Sequence, residues 1–294
     1  MIPYHKPMKL NVDFSDIFES GIYTNAEYCR KLENFFSEKY NCNALVCNSG
    51  TTGLILAINS LKKQKYIKLP VFNWFSDLYS LYLLDKIPLF YDVDRCSWLA
   101  NNSDPLDIRL HTFGNADISL ENDCIYDGTH ALNTKFQEIG LATIISFAPT
   151  KIITAGEGGI ILTKNTISEY TKTEMTKYRD RCFRMSEFHA KICLEYLKHL
   201  EEFTLWKKRV FEFYKSKING EFQTIPHDSN HNTIGFLNTQ KLLIPKEIET
   251  KQYYQPLEYG YRNADYIYKN IICLPSYIGV DYRKIVELIE DANK

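Results

Sequence analysis

The stretch Ser146-Phe-Ala-Pro-Thr-Lys151-Ile-Ile-Thr-Ala-Gly-Glu-Gly-Gly159 decides the fold, because it places a single lysine between two apolar runs, residues 141–145 and 160–162. Both runs are short, rich in β-branched residues and bounded by glycine or proline, which predicts two buried strands. Lysine is usually a solvated surface charge. This lysine, however, lies between buried strands and beside a Gly-Glu-Gly-Gly turn that permits close backbone approach. The stretch therefore predicts a lysine in a pocket.

Such a lysine is chemically useful when burial or a nearby cation lowers its pKa, because the neutral amine can then attack a carbonyl group. The order Ser146-Phe-x-x-x-Lys151, followed by the glycine turn, resembles the vitamin-B6-dependent nucleotide-sugar aminotransferases of the DegT/DnrJ/StrS family. The resemblance implies that Lys151 carries pyridoxal 5'-phosphate (PLP) and that Ser146 holds the cofactor phosphate. It also implies an α/β fold of the PLP aminotransferase type I class, similar to aspartate aminotransferase. That fold has a large domain with a mostly parallel mixed sheet between helices and a small α+β C-terminal domain.

Length and charge limit the domain organisation and the partners that the chain can have. A chain of 294 residues can bury a large core. We expect a large PLP-binding domain over residues 1–205 and a small domain over residues 206–294. The 35 basic and 36 acidic residues are balanced and scattered, so no nucleic-acid partner is expected. No apolar run is long enough for a membrane span or a signal peptide, and we expect a cytoplasmic protein.

The cysteines and histidines give no indication of a metal site. None of the eight cysteines has the Cys-x-x-Cys spacing, which favours buried free thiols over disulfides or zinc ligands. His227 and His231 have the spacing of a helical metal pair, but the Asp, Ser and Asn between them favour a loop. We therefore expect no metal.

A second element precedes the lysine by about a hundred residues. A predicted strand, residues 44–47, is followed by Asn48-Ser-Gly-Thr-Thr52 and then by apolar residues at helical spacing. A helix that begins after such a turn offers unpaired N–H groups and a positive dipole end to a phosphate. An ordinary helix cap explains the same Ser and Thr residues. The turn resembles the Ser-Gly-Thr phosphate turn of the family, which implies phosphate contacts from Gly50, Thr51 and Thr52.

Three further residues are candidates for the ring of the cofactor. Asp127 closes a predicted strand and so lies at a carboxyl end, where ligands bind in α/β sheets. The residue could simply cap a turn, but the resemblance implies that it pairs with the pyridinium nitrogen, which makes the ring an electron sink. Trp74 is either a core aromatic residue or, by resemblance, the ring that stacks on the cofactor. His130 is either structural or a hydrogen-bond partner of the ring oxygen.

The chain departs from the family in two places. Residues 182–187 resemble a segment in which an asparagine reaches the cofactor phosphate of a partner subunit, yet Cys182 stands at that position. A thiol is a weak donor, and Arg181 is our candidate replacement. The segment between residues 114 and 127 is barely long enough for a crossover, and relatives have a helix there.

Tyr253 matches a tyrosine that lies near the substrate in the family. The family builds its active sites from two subunits, which implies a homodimer with shared sites.

The function implied by the resemblance is transamination for amino-sugar biosynthesis. The amino group of an amino acid, by resemblance L-glutamate, would pass to a keto group of a nucleotide-linked 6-deoxyhexose, with Lys151 as general base and acid. Two alternatives remain. Pyridoxamine-dependent sugar dehydratases carry histidine in place of the lysine, and Lys151 argues against that class. A shortened relative that binds a ligand or regulates without catalysis is harder to reconcile with Asp127, Ser146 and Lys151 together.

Overall fold

The computed structural model describes residues 1–60, 64–165 and 169–294. The described residues form helices α1 (Ser15–Ser20), α2 (Glu27–Tyr40), α3 (Gly50–Ser60), α4 (Phe75–Leu83), α5 (Glu169–Cys182), α6 (Glu187–Leu197), α7 (Leu200–Lys217), α8 (Arg262–Asn270) and α9 (Tyr282–Ala292). They also form strands β1 (Asn43–Cys47), β2 (Tyr66–Pro70), β3 (Ile87–Tyr91), β4 (Ile108–Leu110), β5 (Ile125–Asp127), β6 (Ala142–Ser146), β7 (Gly159–Thr163), β8 (Glu221–Phe222), β9 (Ile234–Leu237) and β10 (Ile271–Leu274).

The central sheet has five strands in the order β1, β7, β6, β5, β4. Strand β7 is antiparallel to both of its neighbours, whereas β4, β5 and β6 are mutually parallel. The sheet is thus mixed and mostly parallel, as the sequence predicts. Ser146 pairs with Gly159, so the two ends of the lysine stretch are adjacent in the sheet. The carboxyl ends of β1, β5 and β6 consequently lie at the same edge as this turn.

Strands β2 and β3 form a separate parallel pair. The N–H group of Asp107 donates a hydrogen bond to the carbonyl oxygen of Lys68 at 2.9 Å, which joins this pair to the beginning of β4. The pair therefore extends the edge of the central sheet that lies farthest from β1.

Two apolar clusters cover the faces of the central sheet. On one face Ile145 and Ile160 pack with α2 and α6, and on the other Ile144 and Ile161 pack with α3. Neighbouring residues of β6 and β7 thus alternate between the two clusters, and both strands are buried on both sides. This is why their sequences read as continuous apolar runs.

The connection between parallel strands β4 and β5 contains only residues 111–124 and no α-helix. A buried ion pair holds it: Arg109 Nε lies 2.9 Å from Asp117 Oδ1, and both side chains are fully buried. The guanidinium group also donates to the carbonyl oxygen of Asn101 at 3.0 Å. The short segment therefore makes the crossover with an irregular chain that a charge pair fixes in place.

The C-terminal part contains an antiparallel sheet in the order β10, β9, β8. Helix α7 crosses the predicted boundary between residues 205 and 206. Its Leu200 and Phe203 belong to the same cluster as α2, whereas its Val210 and Phe211 pack with α9. The division at that residue stays a prediction.

The cysteines form no disulfide: all eight are free, and six of them are buried. His227 and His231 lie in irregular chain between β8 and β9, where the ring of His231 stacks on Phe211 with centroids 4.1 Å apart. The described parts of the chain contain no cluster of three or more potential metal ligands. Nor do they contain a helix that is both long and apolar enough to cross a bilayer.

Candidate active site

Two cavities lie at the carboxyl edge of the central sheet, and Lys151 lines both of them. The first has a volume of about 220 Å³ and is bounded by the beginnings of α3 and α4 and by the ends of β5 and β6. The second has a volume of about 260 Å³ and is bounded on its far side by residues of α7 and of the C-terminal sheet region. Trp74 and Thr129 also line both cavities. The lysine thus stands where the two spaces meet.

Lys151 occupies the loop that connects β6 to β7. Its N–H group donates to the carbonyl oxygen of Ala148 at 3.1 Å, which forms a tight turn after the strand. Burial lowers the pKa of Lys151 to about 8, and the nearby carboxylate of Asp127 opposes part of that shift. A much larger share of the amine is therefore neutral near pH 7 than for an ordinary lysine.

The first cavity has a floor that only glycine permits. A Cβ atom on Gly50 would lie 2.9 Å from Cβ and 3.1 Å from Oγ of Ser146. A Cβ atom on Gly159 would lie 2.7 Å from the carbonyl carbon and oxygen of Ser49. Because both positions lack side chains, the first turn of α3 packs directly on the ends of β6 and β7. Gly50, Thr51 and Ser146 all line the cavity that results.

The turn before α3 is both a helix cap and a cavity wall. Ser49 Oγ accepts a hydrogen bond from the N–H group of Thr52 at 3.1 Å, which is a typical N-cap contact. The hydroxyl of Thr52 is bonded to Asn48 and Ser49. Thr52 therefore serves the cap and is not among the residues that line either cavity. The first-turn N–H groups of Gly50 and Thr51 have no acceptor within the helix itself, and both residues line the cavity.

Asp127 ends β5, and its Oδ1 accepts a hydrogen bond from the N–H group of Thr129 at 2.9 Å. A second carboxyl group lies next to it, since the side chain of Asp77 in α4 is fully buried beside Asp127. Neither carboxyl oxygen of Asp77 has a hydrogen-bond donor. Burial, together with the charge of Asp127, raises the pKa of Asp77 well above its ordinary value. Asp77 therefore holds its proton more tightly than an ordinary aspartate does, and in its protonated form it can donate to Asp127.

Aromatic side chains line the second cavity, and one of them, Trp74, also lines the first. The ring of Trp74 meets Tyr253 edge-on at 5.8 Å and Tyr254 at 6.0 Å. The hydroxyl of Tyr254 lies 3.0 Å from Nδ1 of His130, and both residues line the second cavity. Burial, then the charges of Lys151 and Lys207, lower the pKa of His130 far below its ordinary value. His130 is therefore a neutral hydrogen-bonding group in this cavity.

The structure gathers most of the residues predicted from the sequence and leaves two apart. Those that line one or both cavities are Gly50, Thr51, Trp74, Asp127, His130, Ser146, Lys151 and Tyr253. Thr52 acts in the cap. Arg181 is exposed in the last turn of α5 and lines neither cavity, and the neighbouring Cys182 is exposed as well.

Sequence reasoning missed two charged residues at the site. Asp77 is the first, and Lys207, which lines the second cavity, is the other. Each lies on the apolar side of its helix, four residues before a buried apolar residue: Asp77 before Leu81, and Lys207 before Phe211. Residues four apart share a helix face. A charged residue on the apolar face of a predicted helix is thus the sequence feature that could have identified both residues.

The fold and the cavities are those of a PLP-aminotransferase-like α/β protein, with a lysine at the junction of two spaces. The sequence matches the DegT/DnrJ/EryC1/StrS aminotransferase family over residues 8–106 and 121–291, and the chain belongs to that family. The unmatched residues between these ranges include β4 and most of the irregular crossover. The family and the fold predicted from the sequence are confirmed.

Individual relatives agree with this assignment. The chain is 23% identical over 250 residues to a GDP-perosamine synthase of Escherichia coli O157:H7, an alignment that covers 69% of this chain and 66% of that protein. It is 24% identical over 251 residues to a dTDP-4-amino-4,6-dideoxy-D-glucose transaminase of Shigella dysenteriae, with 74% of this chain and 66% of that protein covered. The alignments thus span slightly less than two thirds of these relatives. A solved putative PLP-dependent aminotransferase from Bacillus cereus ATCC 10987 superposes with a TM-score of 0.83 at 20% identity, and each chain is covered completely.

Proposed function

We propose that this protein is a PLP-dependent aminotransferase that transfers an amino group from an amino acid to a keto group of a nucleotide-linked sugar. The observation that carries the proposal is Lys151, a lysine with a lowered pKa at the junction of two cavities. The family assignment supports the reaction class, and the named activities of the Escherichia coli and Shigella relatives support a sugar substrate.

The residues of the first cavity fit the cofactor. Gly50 and Gly159 leave no room for a Cβ atom, so the beginning of α3 packs directly on the strands and forms the floor of the cavity. The positive end of the helix and the hydroxyl of Ser146 suit a phosphate group. Asp127 at the opposite wall suits a protonated ring nitrogen, and Trp74 offers a flat face. PLP, when bound, supplies an electron sink for the bond that breaks at the amino-bearing carbon.

Lys151 would hold the cofactor covalently. Once released from it, the amine would carry the proton of the 1,3-proton shift from one carbon atom to the other. Both roles need an amine that is neutral for part of the time. Its pKa of about 8 meets that need near neutral pH. We infer that Asp77 keeps its proton beside Asp127, so that the pair would place a single negative charge at the ring nitrogen; the raised pKa of Asp77 supports this.

The second cavity would take the substrates in turn. Its walls are polar and aromatic, with Tyr4, Tyr253, Tyr254 and Tyr277 among them. Aromatic faces and hydroxyl groups suit a sugar ring, which offers both C–H faces and hydroxyls. We assign to this cavity a keto-6-deoxyhexose linked to a nucleotide, and L-glutamate as the amino donor.

We also propose a homodimer whose subunits share each active site. An exposed apolar surface on α4 and the following strand supports it: Tyr79, Tyr82 and Leu83 are 59%, 58% and 73% exposed, and Ile87 and Leu89 are both 40% exposed. Trp74, which lines both cavities, is itself 46% exposed. Light scattering after size-exclusion chromatography tests the proposal. A monomer that turns over substrate would refute it.

An absorbance titration with PLP, followed by L-glutamate, tests the reaction class. We expect a visible band that requires Lys151 and that bleaches when glutamate is added. Lys151→Ala should lose the band, whereas Lys246→Ala, which removes an exposed lysine, should keep it. If the wild-type protein forms no band, the aminotransferase proposal fails.

One observation favours a second candidate, a ligand-binding protein without catalysis. Cys182 is exposed and stands where the family has the asparagine that reaches the partner subunit's cofactor phosphate, and a thiol is a weak donor in its place. The same titration separates the two functions. A catalyst bleaches with glutamate, whereas a binding protein forms a stable band that glutamate leaves unchanged.

A further inference from the structure

Lys207 is a buried cation that the proposed chemistry leaves without a task. It lies on α7, with 8% of its surface exposed, and lines the second cavity. Its Nζ donates to the carbonyl oxygen of Asn232 and to Oγ of Ser276, both at 2.8 Å. An ammonium group has three protons, so one remains. Among the described residues both acceptors are neutral, and the cation has no carboxylate partner.

The second cavity has no acidic side chain to balance Lys207. The described residues that line it include two lysines, Lys151 and Lys207, but no aspartate and no glutamate. Burial and the charge of Lys207 lower the pKa of His5, and His130 responds in the same direction. Once Lys151 is occupied by a cofactor, Lys207 is the lysine left in this cavity to attract a negative group.

A buried charge without a partner is costly, and a bound counter-charge removes much of that cost. Burial lowers the pKa of Lys207 to about 7, so the lysine is only partly charged near neutral pH. A bound anion favours the charged form of a neighbouring lysine. The site thus gains a full cation when an oxyanion enters it.

We propose that Lys207 forms an oxyanion site in the second cavity and that its occupant is a carboxylate of the amino donor. The assignment rests on the proposed aminotransferase function. Every α-amino acid carries a carboxylate on the carbon next to its amine, and Lys207 and Lys151 line the same 260 Å³ space. A donor whose amine reaches the junction at Lys151 therefore has a carboxylate in the cavity that contains Lys207. Phosphate of the acceptor is the other source of an oxyanion.

Glutarate is the probe, because it has two carboxylates and no amine and therefore binds without reacting. Its dissociation constant is measured by calorimetry on the PLP-loaded protein and on the cofactor-free protein, with inorganic phosphate as the second ligand. The variants are Lys207→Met, which removes the charge, Lys207→Arg, which keeps it, and Lys208→Met. Lys208 is the adjacent exposed lysine, so its variant has the same change in charge away from this cavity.

We expect Lys207→Met to weaken glutarate binding at least tenfold, while Lys208→Met and Lys207→Arg stay within about threefold of the wild-type protein. Equal glutarate affinity in Lys207→Met and the wild-type protein would overturn the proposal. A loss of affinity for phosphate alone would also overturn it, and would assign the site to the acceptor. If Lys207→Met fails to fold, Lys207→Gln takes its place, because its amide can still donate to the carbonyl of Asn232.

The measurement also separates this inference from the proposed function. Glutarate binding by the cofactor-free protein needs no PLP chemistry. If PLP gives no band but glutarate binding still depends on Lys207, the oxyanion site stands and the aminotransferase function fails. If PLP and glutamate react normally but the affinity for glutarate does not depend on Lys207, the proposed function stands and the oxyanion site fails.

Discussion

Replacing Asp77 by asparagine should stabilise the cofactor-free protein, and by an amount that grows with pH. Asp77 is fully buried beside Asp127 and has no hydrogen-bond donor for either oxygen. Its folded state therefore holds a proton that the unfolded chain releases above about pH 4. The stability contributed by this proton is complete below that pH and is lost progressively as the pH rises towards the raised pKa of the folded protein. An asparagine side chain needs no such proton, and its amide can still donate to Asp127.

The size of the effect follows from the linkage between protons and folding. One extra proton in the folded state lowers the free energy of unfolding by about 1.4 kcal/mol per pH unit. At every pH between the unfolded and the raised folded pKa of Asp77, the wild-type protein should therefore lose up to about 1.4 kcal/mol per pH unit relative to Asp77→Asn. At about 2 °C per kcal/mol for a chain of this size, the midpoint difference should widen by up to about 3 °C per pH unit.

Urea denaturation and thermal midpoints at four pH values measure the difference directly. All other titrating groups are common to both proteins and cancel in the subtraction. Asp123→Asn, which alters an exposed carboxylate, is the matched control and should show no slope. A difference between Asp77→Asn and the wild-type protein that stays constant from pH 6 to pH 8 would show that Asp77 is ionised, and the argument for a singly charged pair would be lost.

Three further perturbations have defined outcomes. Gly159→Ala should weaken PLP binding at least tenfold in a fluorescence titration, because its Cβ atom would overlap the backbone before α3 at 2.7 Å; wild-type affinity would contradict the rigid floor. The rate at which PLP combines with the cofactor-free protein, followed by stopped-flow absorbance, should rise almost tenfold per pH unit below pH 8 and level off above it, because the pKa of Lys151 is about 8; a flat profile would contradict that value. Asp117→Asn should lower the free energy of unfolding in urea by about 3–5 kcal/mol, because it leaves Arg109 charged and buried, whereas Asp85→Asn in an exposed ion pair should leave the urea midpoint almost unchanged.

The sequence predicts the strands around Lys151 well because the apolar runs and the glycine or proline residues at their ends both indicate strands there. Strands β6 and β7 are buried on both faces, so their residues must be continuously apolar, and glycine or proline marks their ends. The position of Lys151 follows, since the chain between two adjacent strands must turn at the sheet edge. The close approach expected of the glycine turn is present at Gly159, which packs against the backbone of Ser49.

Other parts of the site depend on contacts that residue types and spacing do not show. Arg109 and Asp117 fix a crossover without a helix, and nothing in their spacing indicates that both are fully buried. The charge of Asp77 on an apolar helix face indicates that it is unusual, but its neighbour Asp127 comes from a strand 50 residues further along the chain. Thr52 has the right residue type for a phosphate ligand, and its hydroxyl is hydrogen-bonded locally, to Asn48 and Ser49.

The two cavities are built from different parts of the chain, so cofactor binding and substrate preference can vary independently. The first is made by strand ends and helix beginnings of the central sheet, locked together where Gly50 and Gly159 leave no room for a side chain. The second is closed by α7 and by chain near Tyr253 and Ser276, which belong to the C-terminal part. Because α7 carries Lys207 and packs in both cores, the wall at Lys207 depends on the C-terminal part, whereas the floor of the first cavity is set within the central sheet. Changes in substrate preference should therefore arise from the second cavity without loss of cofactor binding.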